Sequence, residues 1–176
     1  MSRSVEVVRT YLELRSPAQL RPASIPTPGT DVRFARRDRI SVDAYRRLYR
    51  DVGDRWHWRD RNAWTDAQLA HHLARREITV WECLSGPESA GYFELDRHDD
   101  GSVEIAYFGL RPEFFGRGLG KTMLTRAAEE AWALGANRVW LHTCTLDSAH
   151  ALPNYLARGF VQFRRETFTT DLPDSD

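Results

Sequence analysis

Three glycines at alternate positions, Gly116, Gly118 and Gly120, separate two segments with different hydrophobic periodicity. The segment before them, residues 103–110, is short, apolar and β-branched, which favours a strand. The segment after them repeats apolar residues at helical spacing over residues 119–134. Glycines let an anion approach the backbone closely, and the first turn of a helix offers unpaired N–H groups and a positive dipole end. The strand, loop and helix therefore predict a cradle for a pyrophosphate.

Two other phosphate-binding loops fit the sequence less well. A Walker loop, G-x-x-x-x-G-K-[ST], matches at Gly120, Lys121 and Thr122 but requires a glycine where Phe115 stands. A dinucleotide fingerprint, G-x-G-x-x-G, fails in both registers because Lys121 or Met123 occupies its sixth position. A P-loop phosphotransferase and an ordinary glycine turn before a helix are the alternatives that these residues leave open.

The loop resembles the R/Q-x-x-G-x-G/A motif of the GCN5-related N-acetyltransferases, in which Gly118 and Gly120 match and Phe115 replaces the usual first residue. The resemblance implies acetyl-CoA as co-substrate, with its pyrophosphate bound mainly by backbone N–H groups of residues 117–122. It also implies that the preceding strand and a later helix contact the cofactor. The cofactor-binding residues expected on this basis are Tyr107, Phe108, Gly109, Leu110, Phe115, Gly116, Arg117, Gly118, Leu119, Gly120, Lys121, Thr122, Asp147, His150 and Asn154.

A second segment, residues 147–160, resembles another signature of the same family. Tyr155 stands shortly before Gly159-Phe160, and the resemblance implies that its hydroxyl protonates the departing CoA thiolate. Aromatic packing on Phe160 is the structural alternative. Asp147 is expected to open the helix and is equally suited to cap it. The sequence leaves open whether the helix residues after Asp147 contact the pantetheine arm or face outward.

Glu104 is the candidate general base. Its separation from Phe115 equals that between the catalytic glutamate and the loop in the histone-acetylating branch of the family, and burial among its apolar neighbours Val103, Ile105 and Tyr107 is expected to raise its pKa. A solvent-facing glutamate on an alternating strand is the structural alternative. Two rival bases, which are also expected to contact the substrate, are Glu94 and His142.

An aromatic and basic cluster follows the first predicted helix. It contains Trp56, His57, Trp58, Arg59 and Arg61, and rings with guanidinium groups suit a substrate that has an apolar face or a carboxylate. In the family fold this loop forms the acceptor-side wall, so Trp56, Trp58 and Arg59 are expected to bind the substrate. Tryptophans that pin the loop to the core are the alternative.

Composition limits the partners. The 176 residues predict one domain, and Lys+Arg and Asp+Glu both number 25, which gives no reason to expect nucleic acid or an anionic membrane as a partner. Cys83 and Cys144 lie among apolar residues and are expected to be reduced thiols of a cytoplasmic protein, with no metal site. The chain has neither a long apolar run nor an apolar N-terminus, so no membrane span or signal peptide is expected.

Hydrophobic patterns predict the element order β-α-α-β-β-β-α-β-α-β. Residues 1–30 are expected to form a first strand and a surface linker, residues 31–75 a two-helix acceptor-side segment, and residues 78–168 the cofactor-binding core of one domain, 1–176. The fold class is α/β: a mixed, mostly antiparallel sheet of six or seven strands flanked by helices. The resemblance adds two splayed parallel strands that form the acetyl-CoA cleft, and a bulge near Tyr107 or Phe108.

The function expected is transfer of an acetyl group from acetyl-CoA to a primary amine of a small molecule, such as an amino acid, a polyamine, an amine metabolite or an antibiotic. Direct transfer is expected because neither cysteine has an activating neighbour in the sequence. A non-catalytic acyl-CoA-binding module and N-acetylation of a protein or peptide amine are the alternatives. A homodimer is left open.

Overall fold

The structure is a computed structural model, and it describes residues 2–24 and 31–173. Within these residues the chain forms seven strands and four α-helices. In chain order they are β1 (Ser2–Leu14), β2 (Val32–Arg36), α1 (Val42–Gly53), α2 (Asp66–Leu73), β3 (Ile78–Ser85), β4 (Glu88–Arg97), β5 (Ser102–Leu110), α3 (Leu119–Ala133), β6 (Arg138–Cys144), α4 (Ala151–Ala157) and β7 (Val161–Pro173). In the described ranges no helix is both long and apolar enough to cross a membrane.

The strands form one mixed sheet in the order β2-β3-β4-β5-β6-β1-β7. Neighbouring strands are antiparallel except β5 and β6, which run parallel and are connected through α3. The predicted fold class is therefore confirmed, with seven strands. The N-terminal strand lies between β6 and β7, so the two ends of the chain are built into the same half of the sheet.

Two apolar cores lie on opposite faces of the sheet. On one face α3 packs its buried residues, such as Met123 and Leu124, against Phe93, Val103 and Leu141. On the other face α1 and α2 cover the β3–β5 side of the sheet through a second cluster, which contains Tyr45, Tyr49, Val52, Leu69 and Tyr92. The apolar residues at helical spacing in the sequence of α3 are thus the residues that pack against the sheet.

Side-chain caps fix where the first two helices begin. The Ser41 hydroxyl accepts a hydrogen bond from the Ala44 N–H at 3.2 Å, and Thr65 forms a capping box with Gln68. Serine and threonine are among the residues preferred at this position. The two caps set the length and the direction of the connection between α1 and α2, which carries the aromatic and basic cluster.

The sequence-based prediction is wrong at the edges of the sheet. Residues 32–36 were assigned to the two-helix segment 31–75 but form β2, which pairs with β3 at one edge. Residues 171–173 lie beyond the predicted core, 78–168, but continue β7, because β1 pairs with them back to Ser2. Of the linker prolines, Pro26 and Pro28 lie outside the described residues.

The helix before β7 also differs from the prediction. It begins at Ala151 rather than at Asp147, and Pro153 lies within its first turn. Pro153 is the third residue of α4, where a backbone N–H has no intrahelical acceptor, so its missing donor costs nothing there.

Candidate active site

The glycine loop leads from β5 into α3 and leaves its backbone amides free. Gly116 and Gly118 both have a φ of 74°, in the left-handed region that glycine adopts without strain. Among the described residues no acceptor takes the N–H groups of residues 116–121, which include the first turn of α3. Nothing lies within 4 Å of the position that a Cβ would take at Gly116. The loop is therefore an open array of donors at a helix N-terminus and fits an anionic diphosphate.

The side chains of the loop divide between solvent and core. Arg117 and Lys121 are exposed, and the Arg117 guanidinium donates to the carbonyl of Glu113 at 2.8 Å. Leu119 and Thr122 are buried, so only their backbone can face a ligand. Phe115 is 40% exposed. Its ring centroid lies 6.1 Å from that of Trp56, which follows α1.

The parallel strands β5 and β6 are paired only at their first residues. The register runs from Ser102, paired with Arg138, to Glu104, paired with Trp140, and ends there. Beyond this position the strands separate, so the gap between them opens toward the end of β5, where the glycine loop begins. The two splayed parallel strands predicted from the family resemblance are confirmed.

A β-bulge lies on β5 beside the gap. Glu94 of β4 pairs with Tyr107 whereas Leu95 pairs with Ile105, so Ala106 has no partner in β4. A bulge re-aims backbone groups out of the regular ladder. The predicted location, next to Tyr107, is confirmed, and the use of an amide here to hold a carbonyl oxygen stays a prediction.

The last residues of β5 face alternate sides of the sheet. Phe108 contacts Tyr155 of α4, with 6.2 Å between ring centroids, and Leu110 packs against the core under α3. A Cβ at Gly109 would lie 2.5 Å from Cγ1 of Val52. Glycine at this position therefore lets α1 approach β5 closely.

Glu104 borders the gap on the side of the sheet that carries α1 and α2. Its side chain is 15% exposed; Oε2 lies 3.1 Å from Nε2 of His98, and Oε1 lies 3.8 Å from Nε2 of His142. Burial raises the pKa of Glu104, and the hydrogen bond from His98 opposes the rise. Val103 and Ile105, which were expected to cause the rise, point instead into the opposite core. The raised pKa suits a group that must take a proton near neutral pH.

Glu94 does not line the gap, so the prediction that it is a rival base in contact with substrate is wrong. Its side chain has no exposed surface, and Arg61 binds both carboxylate oxygens at 2.8 and 2.9 Å. The Tyr45 hydroxyl donates to it at 2.6 Å, and Nε2 of His72 lies 2.8 Å away. Although burial alone would raise the pKa of Glu94, the hydrogen bonds from His72 and Arg61 hold it below its usual value. Glu94 joins the two helices to β4.

Tyr155 lies at the other side of the gap, on α4. The residue is 6% exposed and its ring packs against Phe108 and Phe160, with centroids 6.2 and 6.3 Å away. Within the described residues its hydroxyl has no hydrogen-bond partner, and burial raises its pKa, so it holds its proton at neutral pH. Beside it, the Asn154 amide donates to the carbonyl of Gly120 at 3.3 Å, which ties α4 to the glycine loop. His150 is exposed.

Asp147 stabilises the turn at the end of β6 and does not cap a helix. Its Oδ2 accepts hydrogen bonds from the Thr143 hydroxyl at 2.7 Å and from the Cys144 N–H at 2.9 Å. The predicted capping role is therefore wrong, because α4 starts four residues later. Cys83 and Cys144 are both free thiols, as predicted. Burial and then the charge of Asp147 raise the pKa of Cys144, so its thiol stays protonated.

The aromatic and basic cluster after α1 is only partly a wall of the gap. The Trp58 ring packs edge-on against Tyr107, with centroids 5.0 Å apart, and a Cβ at Gly53 would lie 2.4 Å from it, so this tryptophan pins the loop to the core. Trp56 is half-buried beside the glycine loop, and Arg59 is exposed. Of the three residues predicted to bind substrate, Trp58 thus packs its ring on the core but is half-buried like Trp56, and Arg59 is exposed. Their contact with substrate stays a prediction.

Several residues near Glu104 were not singled out in the sequence. His98 bonds Glu104 from the turn before β5, and Asp60 accepts from the Tyr107 hydroxyl at 3.3 Å. Tyr11 of β1 lies against His142, with 5.5 Å between ring centroids. Tyr11 and His142 are far apart in the sequence and become partners in the antiparallel pairing of β1 with β6. Only a correct prediction of the strand order could have found this contact.

A family model for the acetyltransferase (GNAT) family matches residues 42–160, which is more than half of the chain. The chain belongs to this family. The match covers α1 through α4 and includes the glycine loop, Glu104 and Tyr155. A search among curated proteins returned no match.

Solved structures share the GNAT fold with this chain at low sequence identity. A GCN5-related N-acetyltransferase from Kribbella flavida is 17% identical over 98% of this chain and 61% of its own length, with a TM-score of 0.67. One from Sphaerobacter thermophilus is 14% identical over 97% of this chain and 53% of its own, with a TM-score of 0.66. This GNAT chain thus spans only about half to three fifths of these proteins.

A third solved structure is closer in length. It is an aminoglycoside acetyltransferase from an uncultured soil metagenomic sample, in complex with trehalose. It is 14% identical over 72% of this chain and 86% of its own length, with a TM-score of 0.58. At these identities the three structures establish the shared fold.

Proposed function

We propose that this GNAT chain transfers an acetyl group from acetyl-CoA directly to a primary amine of a small molecule. The observation that carries the proposal is the position of Glu104. This carboxylate lies at the point where β5 and β6 separate, and the gap that opens there leads to the free amides of the glycine loop. In this proposal the gap between β5 and β6 joins a candidate base to a candidate diphosphate site.

Each residue of the cleft has a distinct task in this reaction. Acetyl-CoA, when bound, supplies the acetyl group as a thioester. The amides of residues 116–121 bind its diphosphate, and the bulge at Ala106 turns a backbone donor toward the gap for the carbonyl oxygen. Glu104, with its raised pKa, removes a proton from the amine, directly or through a water. Tyr155 keeps its proton at neutral pH and donates it toward the departing sulfur.

Direct transfer is supported by the state of the nearest thiol. A covalent acyl-cysteine route requires a thiolate, and the local charge and burial of Cys144 favour the protonated thiol. Asp147 already occupies the turn beside it and adds negative charge. The amine therefore has to attack the thioester itself.

A small molecule is favoured as the acceptor over a basic protein tail. The chain has equal numbers of basic and acidic residues, 25 each, so it has no excess of negative charge for a polycationic segment. The carboxylates near the gap, such as Glu104 and Asp60, are individual side chains rather than a continuous acidic wall.

The experiment is a thiol-release assay with acetyl-CoA over a panel of primary amines, with a lysine-containing peptide and a protein N-terminus included. The expected result is CoA release with at least one small amine and a strong loss of this release in Glu104→Gln. Acetylation of the peptide or protein alone would overturn the choice of substrate class. Absence of release with every acceptor, in protein that binds acetyl-CoA, would overturn the enzymatic function.

A further inference from the structure

Four rings lie side by side on the open face of β6, β1 and β7. The centroid of Tyr11 lies 6.4 Å from that of Trp140, 5.5 Å from that of His142 and 6.0 Å from that of Phe163. Because Tyr11 pairs with His142 across the β1–β6 ladder, these rings share one face of the sheet. We call this group, Tyr11, Trp140, His142 and Phe163, the aromatic platform.

The aromatic platform is accessible. Helices α1 and α2 pack over the β3–β5 side of the sheet and leave the β6-β1-β7 side of this face uncovered. Phe163 is 40% exposed, and the His142 side chain is 36% exposed. Tyr11 and Trp140 are half-buried. Exposed rings grouped in this way mark a surface that takes an apolar ligand.

The aromatic platform borders the candidate base. Trp140 is the register partner of Glu104 at the closed end of the gap, and Nε2 of His142 lies 3.8 Å from Oε1 of Glu104. An amine nitrogen held at Glu104 would therefore have the rest of its molecule within reach of these rings. The aromatic platform is therefore placed to contact the acceptor amine. It is not placed to contact the diphosphate, whose candidate site lies at the far end of β5.

Two guanidinium groups beside the aromatic platform, Arg138 and Arg164, are paired with carboxylates, and a third, Arg9, packs over the Phe168 ring with 4.9 Å to its centroid. Arg164 lies over Tyr11 and pairs with Glu166, which also accepts from the Tyr11 hydroxyl at 2.9 Å. On the other side, Arg138 lies 5.4 Å from the Phe163 ring centroid and is bound by Glu13 at 3.1 Å. The paired guanidinium groups are thus neutralised and are poor partners for a substrate carboxylate.

We infer that the aromatic platform binds the flat apolar or aromatic body of the acceptor, so that the substrate is an arylalkylamine-type primary amine without a carboxylate. This inference rests on the proposed function. Rings give stacking area at low conformational cost, and the carboxylate of Glu104 meets the amino group. Polyhydroxylated amines lack the apolar body, and amino acids carry a carboxylate.

The test compares 2-phenylethylamine with butylamine and phenylalanine in wild-type protein, Phe163→Ala and a control, Leu156→Ala. Leu156 is 48% exposed on α4, so its truncation removes a comparable exposed apolar group away from the aromatic platform. Thiol release should show a kcat/KM at least about tenfold higher for 2-phenylethylamine than for either comparison amine. In Phe163→Ala the advantage over butylamine should fall several-fold, while all values of Leu156→Ala stay unchanged.

A second readout separates this inference from the proposed function. Binding of 2-phenylethylamine to the CoA-bound protein is measured by calorimetry, with no turnover required, and should weaken in Phe163→Ala but not in Leu156→Ala. If no amine releases thiol but this difference in binding is found, the proposed function fails and the platform stands. Equal use of the three amines, or an unchanged preference in Phe163→Ala, overturns the inference. A change from dimer to monomer in Phe163→Ala would assign the rings to a subunit interface and overturn it as well.

Discussion

Glu104 and Trp140 are the last paired residues of the parallel strands β5 and β6. The pairing before them holds the two strands together, and the separation after them creates the gap that leads to the glycine loop. Regular strand pairing thus holds Glu104, the candidate base, in place. The candidate cofactor site beyond it exists only because this pairing stops. The following predictions depend on this arrangement.

Replacement of Gly118 by alanine should weaken acetyl-CoA binding. Gly118 has a φ of 74°, and an alanine there is disfavoured by about 1–2 kcal/mol, which shifts the loop. Gly135→Ala is the matched control, because Gly135 has a φ of 80° at the other end of α3 with nothing within 4 Å of a Cβ. Both variants should lose similar stability in thermal unfolding. Only Gly118→Ala should bind acetyl-CoA roughly tenfold or more weakly, and equal affinities in the two variants would contradict the cradle.

Replacement of Glu104 by glutamine should lower kcat by roughly 10²- to 10⁴-fold and leave the Kd for acetyl-CoA unchanged. In the wild type, kcat/KM should rise with pH as Glu104 loses its proton, with a midpoint above the usual value of 4.5 because burial raises this pKa. The rise should disappear in Glu104→Gln. A pH profile that is the same in both proteins would assign the base to another group.

The same substitution should not destabilise the fold at neutral pH. The pKa of Glu104 is raised in the folded state, so the folded protein binds this proton more tightly than the unfolded chain does. Stability is therefore lost as pH rises from the unfolded pKa through the folded pKa, and a neutral side chain removes this loss. Chemical denaturation at pH 7 should give Glu104→Gln a free energy of unfolding equal to or higher than that of the wild type.

Replacement of Glu94 by glutamine should have the opposite effect on stability. Glu94 is fully buried with Arg61, and removing one charge of such a pair typically costs about 3–5 kcal/mol. The lowered pKa of Glu94 means that its contribution is present above the unfolded pKa and is lost as pH falls through the folded value. Glu77→Gln is the control, since its pair with Arg75 is 39–40% exposed and should contribute about 1 kcal/mol or less. Similar unfolding free energies for the two variants would refute the structural role of Glu94.

Replacement of Tyr155 by phenylalanine should lower kcat with little change in acetyl-CoA affinity. The ring contacts with Phe108 and Phe160 persist, so only the hydroxyl is lost. General-acid catalysis contributes about 10²-fold or more, and this is the expected decrease in steady-state turnover. The decrease in kcat should be similar for all acceptors of the same amine class. An unchanged kcat, in assays where chemistry limits the rate, would leave the ring with a packing role alone.

Replacement of Cys144 by alanine should leave kcat unchanged. The raised pKa of this thiol keeps it protonated, so it is not expected to carry the acetyl group. The measurement is turnover together with mass spectrometry of the protein after acetyl-CoA is added without an acceptor. Loss of turnover with retained folding, or an acetyl adduct on Cys144, would establish a covalent route.

The sequence predicted the cradle because its signals are local. Alternating glycines, the strand before them and the apolar stripe of α3 all lie within one short stretch, and the fold keeps them adjacent. The bulge next to Tyr107 and the parallel pair followed from the family resemblance. The N-caps at Ser41 and Thr65 are equally local, because each side chain accepts a hydrogen bond within its own first turn.

Glu94 and the aromatic platform could not be predicted in this way. β4 is buried on both faces over residues 90–95, so alternation along the strand does not tell whether Glu94 faces solvent or a buried arginine. Tyr11 meets His142 only because β1 inserts between β6 and β7, a pairing across most of the chain. The edge strand β2 has two charged residues, at positions 33 and 36, and one aromatic ring, Phe34, which gives little apolar signal.

The central claim is that the amides of residues 116–121 bind the diphosphate of coenzyme A at the mouth of the gap between β5 and β6. Isothermal titration calorimetry of the folded wild-type chain with acetyl-CoA, and then with ATP as a nucleotide control, tests it most directly. We predict saturable heat for a single acetyl-CoA site and none for ATP. A folded protein that gives no heat with acetyl-CoA or with free CoA would contradict the claim, and with it the roles proposed for Glu104 and Tyr155.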